Sequence, residues 1–319
     1  MTENTVSPPK GFKLWMMAMR PYAFPASIIP VLYGSVLAVV INPDMQFNFF
    51  LFFLTLIGSM LVHVGTNIIN DIYDFKSGID KEDKEIGIPH GGSMVLSKGF
   101  MSVKEMKIGA TIALALASVI GFYLYLEIGI YILYLCIFGL LSAIFYTATP
   151  IALKYKALGD IQVFLSFGAG ITLGAYMVQT GEFSWLPVIF SIPIGFLIDA
   201  ILHSNNIRDI NFDGTFKVKT LPMIIGEKLS RYFYYFLVLG AYASIIVFVV
   251  LDLLPWFALL NLITLPTALK LIRMLKNIPD APQARFDYGS KHIMMTAQLN
   301  MQFGLTLTLG LLIAYLFFI

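Results

Sequence analysis

Nine long apolar runs take up most of this 319-residue sequence. Each is close to the roughly 20 residues that an α-helix needs to cross the hydrocarbon core of a bilayer. Only 13% of the residues are charged, against roughly 25% in an ordinary soluble domain. The sequence therefore predicts an all-α, polytopic membrane protein, a bundle of nine transmembrane helices. The predicted spans are residues 21–41, 48–69, 106–126, 128–147, 159–178, 184–203, 231–251, 254–272 and 299–319.

The basic residues test this count, because loops on the cytoplasmic side of a membrane carry an excess of Lys and Arg. All 21 lie before the first predicted span, or in and beside the loops after spans two, four, six and eight. The other four loops carry only Asp44, Glu127, Glu182 and Asp252. We expect a multi-pass protein of the plasma or inner membrane. Its N-terminus and the loops after helices 2 and 6 should be cytoplasmic.

Residues 1–20 precede the first predicted span. Between Lys10 and Arg20, three cations alternate with large apolar side chains, a pattern typical of an amphipathic helix at the membrane interface. We expect 1–20 to be a cytoplasmic segment containing this interfacial helix. Arg20 either anchors it or points inward towards an anionic ligand. Inside the predicted spans, prolines indicate kinks at Pro25, Pro30, Pro193 and Pro266.

Two acidic clusters follow the second and sixth predicted spans, from Asn70 to Asp80 and from His203 to Asp213. Each contains an Asn followed four residues later by an Asp, Asn70 to Asp74 and Asn205 to Asp209, which puts both side chains on one helical face. Either cluster alone is also typical of a helix cap or a surface loop. Together, hard oxygen ligands on two opposed walls suit Mg²⁺, which completes its coordination with substrate phosphates.

The expected ligand is therefore a diphosphate, and several cations are available to its leaving group. They are Lys98, Lys154, Arg208, Lys217 and Lys219. The competing class is a cation-coupled transporter, in which intramembrane carboxylates and broken helices also bind ions. A carrier's site lies near the bilayer midplane, whereas these clusters lie at helix ends. The net charge of +2 gives no indication of a nucleic-acid partner.

Over nearly its full length the chain resembles the UbiA superfamily of intramembrane prenyltransferases. The family's first motif, Asn-Asp-x-x-Asp, matches Asn70, Asp71 and Asp74. Many members have a further Asp four residues on, where this chain has Gly78, with Asp80 two places later. The second motif, Asp-x-x-x-Asp followed by Lys, matches Asp209, Asp213 and Lys219, with Asn205 one turn ahead. The segment from Tyr146 to Lys154 and Tyr155 is similar to the family's helix 4–5 junction, whose Lys helps to hold diphosphate.

The resemblance implies that residues 21–319 form a nine-helix prenyltransferase domain that uses Mg²⁺ and a polyprenyl diphosphate. The implied catalytic residues are Asp71, Asp74, Asp209 and Asp213, and these four with Asn70 and Asn205 are the implied metal ligands. The expected diphosphate-binding residues are Lys154, Arg208, Lys219, Lys98 and Arg20. Candidates for acceptor binding or a general base are Asp199, His203, Tyr146 and Asp80. Asp199 and His203, four residues apart, could instead form a satisfied buried pair.

Within the superfamily, three stretches are similar to the 1,4-dihydroxy-2-naphthoate polyprenyltransferases of menaquinone synthesis. They are Asn205 to Asp209, Asp74 to Asp80, and Leu158-Gly159-Asp160. This resemblance implies an aromatic acceptor, 1,4-dihydroxy-2-naphthoate, prenylated with loss of its carboxylate to give demethylmenaquinone. Another acceptor, such as 4-hydroxybenzoate or a lipid glycerol, is the alternative within the same superfamily.

Overall fold

The protein is all-helical over the residues described by its computed structural model, which are 11–79, 92–213 and 218–318, with only the backbone at 212 and 213. No β-strand occurs in those ranges. The helices of eight or more residues are α1 Phe12–Met19, α2 Pro25–Ile41, α3 Phe49–Ser77, α4 Val103–Ile128, α5 Ile130–Phe145, α6 Gly159–Thr180, α7 Ile192–Asp213, α8 Leu221–Val250, α9 Trp256–Lys276 and α10 Pro282–Phe318. A π-helical stretch, Phe164–Gly170, lies within α6, and α9 begins as the 3₁₀ helix Trp256–Thr264.

Seven helices of the described part are long and apolar enough to cross a membrane: α2 (with the turn before it), α3, α4, α6, α8, α9 and α10. The apolar α5 has only 16 residues. The 22-residue α7 carries the second acidic cluster in its last turns, which lowers its hydropathy. The multi-pass membrane architecture is thus confirmed, and the count of nine spans stays a prediction.

One face of α4 shows where the bundle meets lipid. Large apolar side chains at helical spacing are exposed along its length, namely Ile108, Ile112, Leu116, Val119, Phe122 and Leu126. Contiguous apolar surface of this extent is rare on a soluble monomer. On the opposite face α4 packs against α3, and the small residues Ala110, Ala113 and Ala117 are buried there.

The main core lies where α2, α6, α7, α8 and α10 pack together, so that α7 is held by α8 and α10 while α2 is held by α6 and α10. A second core joins α1, α3, α4 and the residues just before α4. The first acidic cluster ends α3 and the second ends α7. Gly78, with φ 92°, terminates α3 four residues after Asp74, because a left-handed residue after a helix is most easily a glycine.

The proline prediction holds only in part. Pro30 lies inside α2, whereas Pro25 is the first residue of that helix. Pro193 is the second residue of α7, and Pro266 the second residue of the α-helical part of α9. Proline is favoured in the first turn, where its missing N–H is not needed and its fixed φ suits the helix. Three of the four prolines therefore start helical segments.

Arg20 is placed by the turn that joins α1 to α2. α1 lies inside the segment predicted to be amphipathic and packs beside α3. Its last carbonyl, that of Met19, accepts a hydrogen bond of 3.1 Å from Asn67 Nδ2 of α3. Arg20 follows in the left-handed region with φ 56° and lines the central cavity. Whether α1 lies in the membrane interface stays a prediction.

Candidate active site

A cavity of about 660 Å³ opens between the helices at the end of the bundle that carries both acidic clusters. Both clusters reach it: Asn70 and Asp74 from α3, and Asn205 and Arg208 from α7. Arg20, Tyr146 and Lys154 are among the other polar side chains that line the same space. Deeper in the bundle its wall becomes apolar, with residues such as Leu124, Ile132, Gly174 and Val178. One cavity thus joins a charged mouth to an apolar interior.

Asp74 is the centre of a hydrogen-bonded group in the mouth. Lys154 Nζ lies 2.8 Å from Asp74 Oδ2 and 3.1 Å from Asn70 Oδ1. Tyr155 donates its hydroxyl to Asp74 Oδ1 at 2.6 Å, and Asn70 Nδ2 donates to Oδ2 at 2.9 Å. The carboxylate is only 4% exposed, so these donors compensate its lost hydration. The predicted Asn70–Asp74 pair and the predicted Lys154 therefore meet in one site.

Asp71 faces a different set of partners. Arg20 forms an ion pair with its Oδ1, and the backbone N–H of Ser93 donates to Oδ2 at 3.1 Å. The Ser93 hydroxyl also bonds Oδ2. Gly92, which precedes that serine, lies tightly against the Arg20 guanidinium and the Asp71 carboxylate, where a side chain would not fit. The loop that contains Gly92 and Ser93 thus holds a motif carboxylate.

Arg208 organises the second cluster. Its Nε and Nη2 donate to the two carboxylate oxygens of Asp209 at 2.6 and 2.7 Å. Its Nη2 also donates to Asn205 Oδ1 at 2.9 Å, and its Nη1 to the hydroxyl of Ser290 at 3.2 Å. Arg208 lines the cavity while Asp209 does not. The arginine is thus the charged face that this cluster presents to the cavity.

The pairing of Asp199 with His203 is not the one observed. His203 Nδ1 lies 2.7 Å from Asp160 Oδ1, and its Nε2 lies 3.1 Å from the carbonyl oxygen of Ser230. Because a carbonyl only accepts, Nε2 is the donor to Ser230, and Nδ1 makes the second hydrogen bond of the ring, with Asp160. Asp199 is 4% exposed and its Oδ1 has no hydrogen-bond partner. Tyr146 packs near Gly159, next to Asp160, and lines the cavity.

Several predicted site residues do not reach the cavity or cannot be placed. Lys98 and Lys219 are exposed and are not among the lining residues. The backbone N–H of Lys219 donates to the carbonyl of Tyr155 at 3.2 Å, which ties the segment before α8 to the α5–α6 junction. Asp80, Lys217 and the side chain of Asp213 lie outside the described residues.

The described side chains contain no group of three or more His, Cys, Asp or Glu residues placed to hold a metal ion. The three motif carboxylates whose side chains the structure describes are instead paired with cations: Asp71 with Arg20, Asp74 with Lys154 and Asp209 with Arg208. The candidate metal ligands of the two motifs are all oxygen atoms, from carboxylates and Asn side-chain carbonyls. Mg²⁺ commonly takes only one or two protein carboxylates and completes its shell with water and phosphate. The residues therefore fit Mg²⁺ that arrives with a phosphate ligand.

Some contacts at the site carried no signal in the sequence. Tyr155 adjoins the predicted Lys154, yet only the folded junction brings its hydroxyl to Asp74. Ser93 reaches Asp71 from a separate loop. Ser290 comes from α10, 82 residues after Arg208. From sequence alone, a hydroxyl residue far from a motif cannot be distinguished from an ordinary surface residue.

Comparison with known proteins identifies the family. The UbiA prenyltransferase family matches residues 27–299 of the chain. The chain belongs to the UbiA prenyltransferase family. It is therefore a prenyltransferase, as the acidic motifs and their resemblance led us to expect.

Relatives of the family match almost the whole chain. The UbiA prenyltransferase domain-containing protein 1 homolog of Drosophila melanogaster is 33% identical over 300 residues, which are 92% of this chain and 77% of that protein. An apo UbiA homolog from Aeropyrum pernix K1 superposes with a TM-score of 0.67 at 16% identity, over 92% of this chain and 98% of that one. A UbiA homolog from Archaeoglobus fulgidus bound to GPP and Mg²⁺ gives 0.62 at 16% identity, over 92% and 99%. At these identities the solved structures show a shared fold.

Proposed function

We propose that this protein transfers a polyprenyl group from an allylic polyprenyl diphosphate to 1,4-dihydroxy-2-naphthoate, in a Mg²⁺-dependent reaction. The observation that carries the proposal is that one cavity is lined by residues of both Asn–Asp clusters and by three cations. The same cavity continues into an apolar interior. A neighbour of the same fold binds GPP and Mg²⁺, which supports the same ligand classes here. The naphthoate acceptor is supported by the motif resemblance to that branch of the family.

Asp71, Asp74, Asp209 and Asp213, with the carbonyl oxygens of Asn70 and Asn205, would hold Mg²⁺ directly or through waters. When bound, Mg²⁺ neutralises part of the diphosphate charge and stabilises the negative charge that develops on the leaving group. Arg20, Lys154 and Arg208 line the cavity and bind phosphate oxygens. Each exchanges its carboxylate partner for a phosphate partner when the substrate enters, so no buried charge is left alone.

The bond between C1 of the prenyl group and the diphosphate oxygen breaks with its electron pair going to the diphosphate. Lys154 and Arg208 donate to oxygens whose charge increases in this step, and such donors lower its barrier. Tyr146, on the cavity wall, faces the allylic cation through its ring. The remaining isoprene units lie along the apolar wall between α3, α4, α5 and α6.

The acceptor ring then supplies an electron pair to C1, which forms the new carbon–carbon bond. In the naphthoate reaction the same ring carbon loses CO₂, and the electrons of the broken bond restore the aromatic ring. The products are diphosphate, CO₂ and the hydroquinone form of demethylmenaquinone. Deprotonation of a ring hydroxyl increases the electron density of the ring. Asp199 near Tyr146 would accept that proton and return it to the same oxygen as the hydroquinone forms.

In this proposal the mouth of the cavity faces the cytoplasm and the N-terminus lies on the same side, in the plasma or inner membrane. The clustering of Lys and Arg in alternate loops supports this orientation. A transporter would need an ion site near the middle of the bundle, whereas the paired carboxylates here lie at helix ends.

The test is incubation of purified protein with labelled polyprenyl diphosphate, Mg²⁺ and one acceptor at a time. We expect a prenylated product and release of CO₂ with 1,4-dihydroxy-2-naphthoate. If product forms only with 4-hydroxybenzoate, or only with a lipid glycerol, that compound is the acceptor in place of 1,4-dihydroxy-2-naphthoate. If no acceptor were prenylated while vesicles took up a solute, the enzymatic proposal would be wrong.

A further inference from the structure

The first turns of α10 pack directly against the second motif. Four residues on one side of this helix make the contact: Arg285, Phe286, Gly289 and Ser290. The Phe286 ring lies 4.8 Å from the guanidinium carbon of Arg208, and Ser290 accepts its Nη1 hydrogen bond at 3.2 Å. Arg208 is therefore held from one side by Asn205 and Asp209 on its own helix, and from the other by α10.

Gly289 is fitted to the aliphatic part of Arg208. A Cβ atom at position 289 would lie 2.6 Å from Cγ, 2.9 Å from Cβ and 3.1 Å from Cδ of Arg208. Distances this short force the arginine side chain to move. The absence of a side chain at 289 thus fixes how closely Arg208 lies against α10.

Arg285 holds the backbone that carries Arg208. Its Nε lies 3.2 Å from the carbonyl oxygen of Arg208, and its Nη2 lies 3.0 Å from that of Ile207. It also forms an ion pair of 3.1 Å with Glu227 of α8, which pairs in turn with Arg231. With a side chain only 4% exposed, Arg285 connects three helices at a point where a guanidinium is costly to bury without partners.

We propose that Arg285, Phe286, Gly289 and Ser290 form a seat on α10 that positions Arg208 for the diphosphate. Arg285 and Gly289 are positioning residues, since they act through Arg208. The inference rests on the proposed function, in which Arg208 binds phosphate oxygens. A planar guanidinium binds phosphate strongly only in the right orientation, and the seat provides that orientation from about 80 residues away in the sequence.

The test compares Gly289→Ala, Arg285→Gln and Arg285→Lys with the matched control Gly304→Ala. Gly304 also lies on α10 and is also in tight contact, but with Ile29 of α2. For each variant one measures kcat, KM for the polyprenyl diphosphate, KM for the acceptor, and Tm. Ser290→Ala removes a single hydroxyl and provides a variant that keeps the packing.

We expect Gly289→Ala and Arg285→Gln to raise KM for the diphosphate roughly tenfold, the effect of misplacing one charge-assisted hydrogen bond. KM for the acceptor should stay unchanged. Arg285→Lys keeps the ion pair with Glu227 but cannot reach both carbonyls, so it should be intermediate. Ser290→Ala should shift the same KM by less. Gly304→Ala should lower Tm without a selective change in KM.

Arg208→Gln separates the two ways in which this inference can fail. If it raises KM for the diphosphate while the α10 variants do not, the seat is unnecessary and only the inference is overturned. The inference is also overturned if Gly304→Ala and Gly289→Ala change both KM values alike, because the contact is then merely structural. If Arg208→Gln itself leaves that KM unchanged, Arg208 does not bind phosphate and the proposed function is wrong at this residue.

Discussion

Each of the three motif carboxylates with a described side chain is paired with a cation. Asp74 pairs with Lys154 from the α5–α6 junction, and Asp71 with Arg20 from before α2. The ion pair that Asp209 forms with Arg208 is local, but Arg208 is held by α10. Pairs of this kind keep the site folded without ligand, since a carboxylate buried alone is strongly destabilising.

Alanine at a motif carboxylate should abolish turnover without unfolding the protein. We expect Asp71→Ala, Asp74→Ala, Asp209→Ala and Asp213→Ala each to lower kcat roughly 100-fold or more, because charge stabilisation of the leaving group is lost. The partner cations line the open cavity, where water can solvate them, so the proteins should stay folded in detergent. Asp44→Ala, in an exposed loop, is the control. A pair of motif variants with normal kcat would exclude that motif from the metal site.

Mg²⁺ and diphosphate should bind cooperatively. Mg²⁺ binds the carboxylates and diphosphate binds the cations of the same ion pairs, so each ligand frees a partner for the other. Alone, Mg²⁺ competes with Arg20, Lys154 and Arg208 for the carboxylates. Titration calorimetry should show that inorganic pyrophosphate tightens Mg²⁺ binding at least roughly tenfold, with the same factor in the reverse direction. In Lys154→Gln this factor should fall, while Mg²⁺ alone binds more tightly. Independent binding of the two ligands would contradict the exchange of partners.

At the scale of the helices, apolar periodicity predicted most elements, and its errors have physical reasons. The runs became α2 to α10, yet α3 and α10 extend well past their predicted spans into polar sequence, because a helix continues where side chains at its end find partners. Prolines predicted to kink spans mostly start helices instead. The π-helical stretch of α6 had no sequence signal, since it depends on packing against neighbouring helices.

The apolar wall should set the longest prenyl chain that is accepted. Gly174 lines the cavity on α6, about 22 Å along the helix from Gly159 at a rise of about 1.5 Å per residue. Its nearest neighbour would leave room for a Cβ, at 3.9 Å from Leu135 Cδ1. Gly174→Leu should lower kcat/KM for long polyprenyl diphosphates roughly tenfold, the effect of excluding about two methylene groups, and leave geranyl diphosphate unaffected.

The control for this prediction is Leu165→Phe, which adds bulk to an exposed position of the same helix. It should leave the chain-length preference unchanged. Equal losses for short and long diphosphates in Gly174→Leu would show that the deep part of the cavity does not hold the prenyl tail.

For the whole molecule, sequence reasoning identified the residues of the site better than their partners. The Asn–Asp spacing and Lys154 were found because local helical geometry and a family pattern determine them. Asp160 with His203, Tyr155 with Asp74 and Arg285 with the carbonyl of Arg208 join residues 43 to 81 positions apart. Such partners are chosen by how helices pack, which a single sequence does not specify.

The predicted orientation can be tested with single cysteines in a Cys136→Ser background, which removes the one native thiol. Asp44→Cys and Glu182→Cys lie in exposed loops at the end away from the motifs, and Lys98→Cys is exposed near the motif end. In intact cells, a membrane-impermeant maleimide should label positions 44 and 182, and position 98 only after permeabilisation. The opposite pattern would place the site on the outer face.

The most direct measurement is an experimental structure of the protein with a non-cleavable prenyl thiolodiphosphate and Mn²⁺ in place of Mg²⁺. The anomalous signal of Mn²⁺ identifies the metal without assumption. We predict Mn²⁺ and diphosphate together between Asn70 and Asp74 on α3 and Asn205 and Asp209 on α7, with Lys154 and Arg208 turned to phosphate oxygens. Mn²⁺ bound to one cluster only, with the other cluster out of reach of the diphosphate, would contradict a shared site.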